Sequence, residues 1–463
     1  MIVKNEWREK MEKKKERGSF SGSIGFVLAA AGSAVGLGNL WRFPSLAAKY
    51  GGGIFILVYL VLVVTFGFSL LTLEIALGRK TKTSSIHAYT KLHKKFGWLG
   101  YLSALIPIII LPYYSVIGGW VIKYMSVFVT GQGTAAAEDG YFGGFIGASA
   151  SPIIMFWIFL TLTMVVVLGG VQKGVERAST FLMPILLVLI IGICVYVVTL
   201  PGTLEGVKYY LLPDFSKFSF KTVCGAMGQL FYSMSIAMGI MVAYGSYVKD
   251  DVNLGKSVNH IEIFDTAVAF LSGLMIIPAV YMFQPESVEK GGAGLMFQVL
   301  PKVFLDMPFG NLVGAVFFVL VLFAALTSSI SLMEAIAAIF MDKFKLSRTK
   351  AVIIIYVISF LLGIPSSLGH GVWAHIQPLG LSFLDFFDYI SNNVFMPIVA
   401  LGSCILIGWF VGTKVIVDEV TKNGEKFGRA KIFHVMIRYI APICLVTILV
   451  FYTLATFGVI SFF

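Results

Sequence analysis

The chain has 463 residues, of which 58% are hydrophobic and only 13% charged. A soluble domain cannot hide that much apolar side chain, so composition excludes one and implies a polytopic membrane protein. The net charge of +11 falls in clusters that alternate with apolar segments, which reads as membrane topology and assigns no nucleic-acid role.

In chain order, residues 1–18 carry seven Lys/Arg interleaved with Glu. They read as a solvated cytoplasmic tail near anionic lipid. The first apolar run begins about 30 residues in and is too interrupted for a signal h-region, so it is expected to remain in the mature protein. Within it, residues 29–44 read AAAGSAVGLGNLWRFP. Gly32, Gly36 and Gly38 weaken a helix there, Asn39 and Arg42 place polar and charged groups in it, and Pro44 closes it. Irregular backbone at membrane depth survives where it lines a cavity, and a charge inside a span points to function.

A spanning helix needs about 20 mostly apolar residues. On that template eleven segments begin near Ser23, Gly53, Leu102, Pro152, Phe181, Val223, Ile263, Leu312, Ala351, Leu384 and Ile440. The ninth, around residues 352–364, is the shortest. Basic clusters at 79–95, 173–177, 249–256, 343–350 and 414–431 then share the side of the N-terminal tail, taken as the cytoplasm. An odd count puts the C-terminus outside. The outer connection 284–310 contains apolar pieces and is expected to form a folded cap. Cys194, Cys224, Cys404 and Cys444 fit no disulfide or zinc framework and read as small buried apolar residues.

One other segment is interrupted like the first. Residues 228–239 read GQLFYSMSIAMG, with glycine at each end and Ser233 and Ser235 between. It is the sixth segment, five after the first. Five is odd, so a second group of five enters the membrane inverted. Two broken helices at equivalent places in inverted halves point to the binding site of a secondary transporter. On the eighth segment, Ala324, Thr327 and Ser328 are spaced three and four apart and share one helix face. A carbonyl and two hydroxyls suit an alkali cation, or hydroxyl bonding between helices. The six histidines form no HExxH and there is no nucleophile elbow, so an enzyme is not expected.

The strings GSAVGLGNLWRFP (32–44), LPYYSVIGGW (111–120), GQLFYSMS (228–235), LTSSIS (326–331) and MDKFKLSR (341–348) resemble the neurotransmitter:sodium symporters, most closely the bacterial amino-acid members. The resemblance covers essentially the whole chain, which ends after the eleventh helix where many members have twelve. It implies an all-α membrane protein of about eleven helices, a 5+5 inverted repeat with helices 1 and 6 unwound at mid-membrane. The expected division is a tail (1–20), a first repeat (21–200), a second repeat (201–412) with a cap near 285–310, and a cytoplasmic loop with helix 11 (413–463). The implied function is sodium-coupled import of a neutral hydrophobic amino acid across the plasma membrane by alternating access. A channel or a non-transporting amino-acid sensor on the same scaffold is the alternative.

The resemblance also implies site residues. One sodium takes the carbonyls of Gly32, Val35 and Ala324 with the hydroxyls of Thr327 and Ser328. A second takes the Ala34 carbonyl, Asn39, Ser233 and Asp265. Where other members carry an amide, Asp265 is a carboxylate in an apolar run, so it must find a cation or carry a proton. It supplies the charge that chloride gives to chloride-dependent relatives, and transport is expected to be chloride-independent. The substrate carboxylate meets the amides of Leu37 and Gly38 at a half-helix start, with Tyr114. The amino group meets carbonyls of Ala34, Tyr232 and Ser233, with Ser235 and Ser328 alongside. Ile110, Tyr232, Met238 and Leu332 take the side chain. Amine transporters carry an aspartate at the Gly36 position, so glycine argues for an amino-acid substrate. Arg42 and Asp388 are expected to pair as an outer gate, with Tyr114 and Tyr232 as a lid. Arg17 and Asp342 are the expected inner gate, and Phe20 stands where a tryptophan plug is usual, which predicts looser inner closure. Gly174 and Pro184 ease unwinding of the fifth helix. Glu74, Glu334 and Asp385 are read as intramembrane hydrogen-bond hubs. No organic cofactor is expected; lipid contact and a homodimer are.

Overall fold

The computed structural model describes residues 18–285 and 292–459. Among them the regular structure is helical, apart from one isolated bridge between Gly52 and Pro213. The long helices are α1 (Ser23–Ala34), α2 (Gly38–Lys49), α3 (Gly53–Thr81), α4 (Lys94–Val129), α5 (Ala150–Leu168), α6 (Val171–Thr199), α7 (Phe220–Ser233), α8 (Ile240–Tyr247), α9 (Leu254–Phe283), α10 (Gly310–Phe344), α11 (Arg348–Leu368), α12 (Phe383–Val411) and α13 (Ala430–Thr456). Nine of them are long and apolar enough to cross a membrane singly, and α1 with α2, bent by 53°, makes a tenth span. The shorter broken pair α7 and α8, interrupted over residues 234–239, stands where the sequence places its sixth span.

Several helices begin well before the apolar stretch that announces them. α6 starts at Val171 and not near Phe181, α9 at Leu254 and not near Ile263, and α13 at Ala430 and not near Ile440. Hydropathy detects only the part that prefers lipid, whereas helical hydrogen bonding continues into the polar flank. The ninth span is also longer than expected, Arg348–Leu368. Between α9 and α10, Leu295–Val299 and Leu300–Asp306 are helical and bury Phe297, Val303 and Phe304.

The centre of the bundle is held by close backbone approach and by paired charges. α3 and α8 cross at Gly78 and Gly245: a Cβ on Gly78 would strike the Val242 carbonyl, and one on Gly245 would strike the Ile75 carbonyl. Small residues facing one another allow such a crossing. Arg79, at the end of α3, is fully buried. Its Nε donates to Glu419 Oε1 at 2.7 Å, its Nη1 to the Val252 carbonyl at 2.7 Å, and its Nη2 to the Glu419 carbonyl. One side chain thus ties α3 to the α8–α9 connection and to the short helix Lys414–Val420. Removing one partner of a buried pair strands the other charge and costs about 3–5 kcal/mol. Arg79→Ala is therefore expected to lower the melting temperature of the purified protein steeply, while Arg79→Lys recovers part of the loss.

Glu334 is the hub the sequence suggested. It accepts from Arg348 at 2.5 and 2.9 Å and from the Tyr247 hydroxyl at 2.8 Å. Glu74 accepts from the Ala237 amide at 2.7 Å, which braces the break between α7 and α8. Asp385 is different. It is exposed and caps the start of α12 with Ser382, so it is not an intramembrane hub. The apolar sequence around it, LSFLDFF, hides a helix start from a hydropathy reading.

Candidate functional site

The site is built where the two broken helices meet. At the end of α1 the i to i−4 ladder stops. Val35 still donates to the Ala31 carbonyl at 2.7 Å. Gly36 N–H instead donates to the Asn39 side chain at 3.3 Å, Leu37 N–H to the Tyr114 hydroxyl at 3.5 Å, and Asn39 N–H to the Gly36 carbonyl at 3.1 Å. Those amides would otherwise bond to Gly32, Ser33 and Val35. The carbonyls of these three are left free to accept from elsewhere.

The side chain within reach of all three is Ser328 on α10. Its hydroxyl lies 3.5 Å from the Gly32 carbonyl, 3.1 Å from that of Ser33 and 3.2 Å from that of Val35. One residue earlier, the Thr327 hydroxyl donates to the Ala324 carbonyl at 3.1 Å. Gly32 faces Thr327 closely, with an added Cβ falling 3.2 Å from the Thr327 Cβ. Ser328 thus reaches the carbonyls of Gly32 and Val35, and Thr327 sits between Gly32 and Ala324, so the five residues proposed for one sodium site adjoin one another with hydroxyl and carbonyl groups. Such a hard, oxygen-only donor set suits an alkali cation.

The second cluster is linked by hydrogen bonds through Asp265 on α9, which is fully buried. Asp265 Oδ1 accepts from the Asn39 amide at 2.8 Å and from the Ser233 hydroxyl at 2.7 Å. Asn39 also donates to the Asp265 carbonyl at 3.2 Å, and Ser233 reaches Asn39 Oδ1 at 3.2 Å. Tyr59 donates to Asp265 Oδ2 at 3.4 Å. Among the described residues Asp265 has no ion-pair partner; its contacts are neutral donors. Tyr59 is a member of this cluster that the sequence did not single out, because it reads as an ordinary aromatic in an apolar span.

Between the two clusters lies a small cavity. Its wall includes every residue proposed for the substrate: Ala34, Gly36, Leu37 and Gly38 from the first break; Ile110 and Tyr114 from α4; Tyr232, Ser233, Ser235 and Met238 from the second break; and Ser328 and Leu332 from α10. Ser33, Asn39 and Ile240 line it too. Among the described residues in this wall none is charged. The second break is held open by left-handed backbone at Ser235 (φ 52°), Ala237 (φ 67°) and Gly239 (φ 72°). The Ser235 hydroxyl turns back to the Ser33 carbonyl at 3.0 Å, so it joins the two breaks.

Gly36 sits at the tightest point. A Cβ there would lie 2.7 Å from the Ser328 hydroxyl and 3.1 Å from the Tyr114 hydroxyl. A methyl group in that space displaces both, so Gly36→Ala is expected to abolish solute binding while leaving expression and melting temperature close to wild type. Equilibrium binding of radiolabelled amino acid to the purified variant checks this.

Tyr232 separates this cavity from a wider one lined also by Trp41, Arg42, Lys49, His370, Asp385 and Asp388. Arg42 and Asp388 both face it, but they do not pair directly. Arg42 contacts the Tyr452 hydroxyl at 3.5 Å and lies 5.3 Å from the Tyr232 ring centroid. Asp388 accepts from Tyr113 at 3.1 Å and from Asn392 at 2.6 Å. The expected outer pair is thus replaced by neutral partners, which satisfy both charges while the vestibule is wide. At the other end, Asp342 accepts from the Ser84 amide at 2.7 Å and the Ser84 hydroxyl at 2.6 Å. Arg17, its expected partner, lies outside the described residues. Phe20 does not leave a loose plug. It is buried against Phe26, Tyr244 and Tyr247 at ring separations of 5.6, 5.6 and 6.1 Å. Ser21 beside it donates through both amide and hydroxyl to Glu176 on α6. That clamp joins residues 155 apart, and no local pattern announces it.

A model of the sodium:neurotransmitter symporter family matches residues 17–134 and 145–460 of the chain. YhdH, an uncharacterized sodium-dependent transporter of Bacillus subtilis, is 36% identical over 458 residues, covering 96% of this chain and 98% of its own. The sodium- and chloride-dependent GABA transporter 2 of Homo sapiens is 28% identical, over 89% of this chain and 76% of the human one. Among solved structures, the crystal structure of MhsT in complex with L-phenylalanine superposes with a TM-score of 0.85 at 36% identity, covering 94% of this chain and 99% of that one.

Proposed function

The chain belongs to the sodium:neurotransmitter symporter family, whose members are membrane transporters and not enzymes, and we propose that it couples sodium entry to the uptake of a neutral, hydrophobic amino acid. The observation that carries this reading is the uncharged cavity set between two clusters of oxygen atoms, walled by the backbone of both breaks where the helical ladder is interrupted. A zwitterion needs both kinds of backbone group. Its carboxylate is taken by the Leu37 and Gly38 amides with Tyr114, and its ammonium by the carbonyls of Ala34, Tyr232 and Ser233. Ile110, Met238 and Leu332 leave only apolar surface for the side chain. MhsT was crystallised with L-phenylalanine, which fits the same chemistry.

Sodium is a co-substrate here, and two of its ions are proposed. The first is held by Gly32, Val35, Ala324, Thr327 and Ser328, and joins α1 to α10. The second is held by Ala34, Asn39, Ser233 and Asp265, and adjoins the carboxylate position. Each charge moved inward through 100 mV contributes about 2.3 kcal/mol, so ions bound beside the solute supply the drive for concentrating it. Asp265 provides a permanent negative charge at the second site, which is why we place the transporter in the chloride-independent class. Arg42 and Asp388 share the vestibule, and their approach over Tyr232 is the proposed outer closure. Residues 21–200 and 201–412 form the proposed inverted halves, with the N-terminus on the cytoplasmic side and the C-terminus outside.

The test is uptake into proteoliposomes of each neutral amino acid under an inward sodium gradient, with chloride or gluconate. Saturable, sodium-dependent uptake of one hydrophobic class in both anions is the expected result. Sodium-independent equilibration, or large unitary currents, would exclude symport.

A further inference from the structure

The start of α6 carries a feature that solute transport does not use. A cavity open to the surface lies between Ser21 and the first turns of α6. Lys173, Arg177 and Phe181 line it, each four residues after the last, so they form one stripe along the helix. Lys173 and Arg177 are exposed, and among the described residues neither forms an ion pair. The one carboxylate in the cavity, Glu176, is turned to the Ser21 amide and hydroxyl. Thr180 adds a hydroxyl to the same wall.

Beyond the cations the stripe turns apolar and faces outward. Phe181 is 65% exposed, Val188 68% and Val195 57%, at intervals of seven residues that keep them on one face. Two exposed cations with a hydroxyl at the head of an exposed apolar strip match a molecule with an anionic head and a long apolar tail. We propose that this cavity binds the phosphate headgroup of an anionic phospholipid, with Lys173 and Arg177 on the phosphate and an acyl chain along Phe181, Val188 and Val195. Charge complementarity selects the headgroup, because a zwitterionic lipid brings its own cation to the same place. The exposed strip selects a lipid over a free phosphate ion, which has no use for it. The site adjoins the Ser21–Glu176 clamp, so a bound headgroup steadies the turn that holds residues 20 and 21 in place.

The test is native mass spectrometry of the full chain in detergent, delipidated and then titrated with phosphatidylglycerol or phosphatidylcholine. One phosphatidylglycerol is expected to be retained in preference to phosphatidylcholine. The surface variant Lys173→Gln with Arg177→Gln is expected to bind it about thirtyfold more weakly, two contacts of about one kcal/mol each. The charge-preserving variant Lys173→Arg with Arg177→Lys, with an unchanged melting temperature, is expected to keep the preference. Equal retention of the two lipids by the wild type, or wild-type retention of phosphatidylglycerol by the Gln variant, overturns the proposal. Displacement of the lipid by millimolar inorganic phosphate assigns the site to free phosphate and overturns it too.

Discussion

Replacing Thr327 and Ser328 together with alanine is expected to abolish sodium-supported binding and uptake while the fold survives. Both side chains are buried on α10, and they do two different jobs. Ser328 is the polar side chain that reaches the freed carbonyls of Gly32, Ser33 and Val35. Thr327 donates to Phe323 and Ala324 on its own helix, each at 3.1 Å, and faces Gly32 across the gap. In the proposed ion site both hydroxyl oxygens turn to the cation. A hydrogen bond to a charged group is worth about 1.5–3 kcal/mol, and a hydroxyl on sodium is comparable in kind. Loss of two contacts then weakens sodium by about two to four powers of ten. The fold loses less, since the α10 carbonyls keep their helical partners and alanine is a good helix former. Scintillation-proximity binding of labelled amino acid at rising sodium checks this, with melting temperature as the control for folding. Wild-type sodium dependence in the double variant removes α10 from the ion path. Thr327→Ser with Ser328→Thr keeps both oxygens, and it is expected to recover binding in part.

The sequence made some of this legible because chemistry interrupts hydropathy. Gly32 to Arg42 and Gly228 to Gly239 are visible as breaks since a glycine, an asparagine or a serine in lipid has to be explained. Those breaks bring together the cavity wall found in the structure. The exact roles attached to Ala34, Leu37 or Met238 came through family resemblance and not through spacing. What stayed hidden depends on contacts distant in sequence. Arg79 and Glu419 are 340 residues apart, and each alone reads as a solvated charge near a membrane edge. Ser21 and Glu176 are hidden for the same reason. Tyr59 is hidden for another: an apolar span gives no sign of which way a phenol points. Arg42 and Asp388 share one cavity, but no hydrogen-bond pattern in the sequence shows which neutral groups each holds there. Tyr113, Asn392 and Tyr452 offer neutral hydrogen bonds that cost less to keep than a desolvated ion pair.

Asp265→Asn separates charge from shape at the second ion cluster. Asparagine has nearly the same outline, and its Oδ1 can still accept from Asn39 and Ser233, which now stand 2.8 and 2.7 Å away. The other atom becomes an amide donor facing the Tyr59 hydroxyl, which can reverse its own bond. Packing is thus preserved and one negative charge is removed from a fully buried position. At an effective dielectric of about 20, a unit charge about 4 Å from a cation is worth about 4 kcal/mol, more than any single neutral ligand supplies. The sodium concentration for half-maximal uptake is therefore expected to rise at least tenfold in gluconate. Chloride is expected to restore much of it, because the Tyr59 hydroxyl, once it accepts from the new amide, has its own proton to donate to an anion in place of the carboxylate. The wild type should be indifferent to that exchange. A second reading follows from the same charge. If Asp265 takes up a proton when the carrier returns empty, substrate-driven alkalinisation inside or acidification outside the vesicles will accompany wild-type turnover and disappear in the variant. Measuring uptake and lumenal pH in the same proteoliposomes tests both. A variant with wild-type sodium dependence in either anion and an unchanged pH signal would show that Asp265 serves only to pack Asn39 against Ser233.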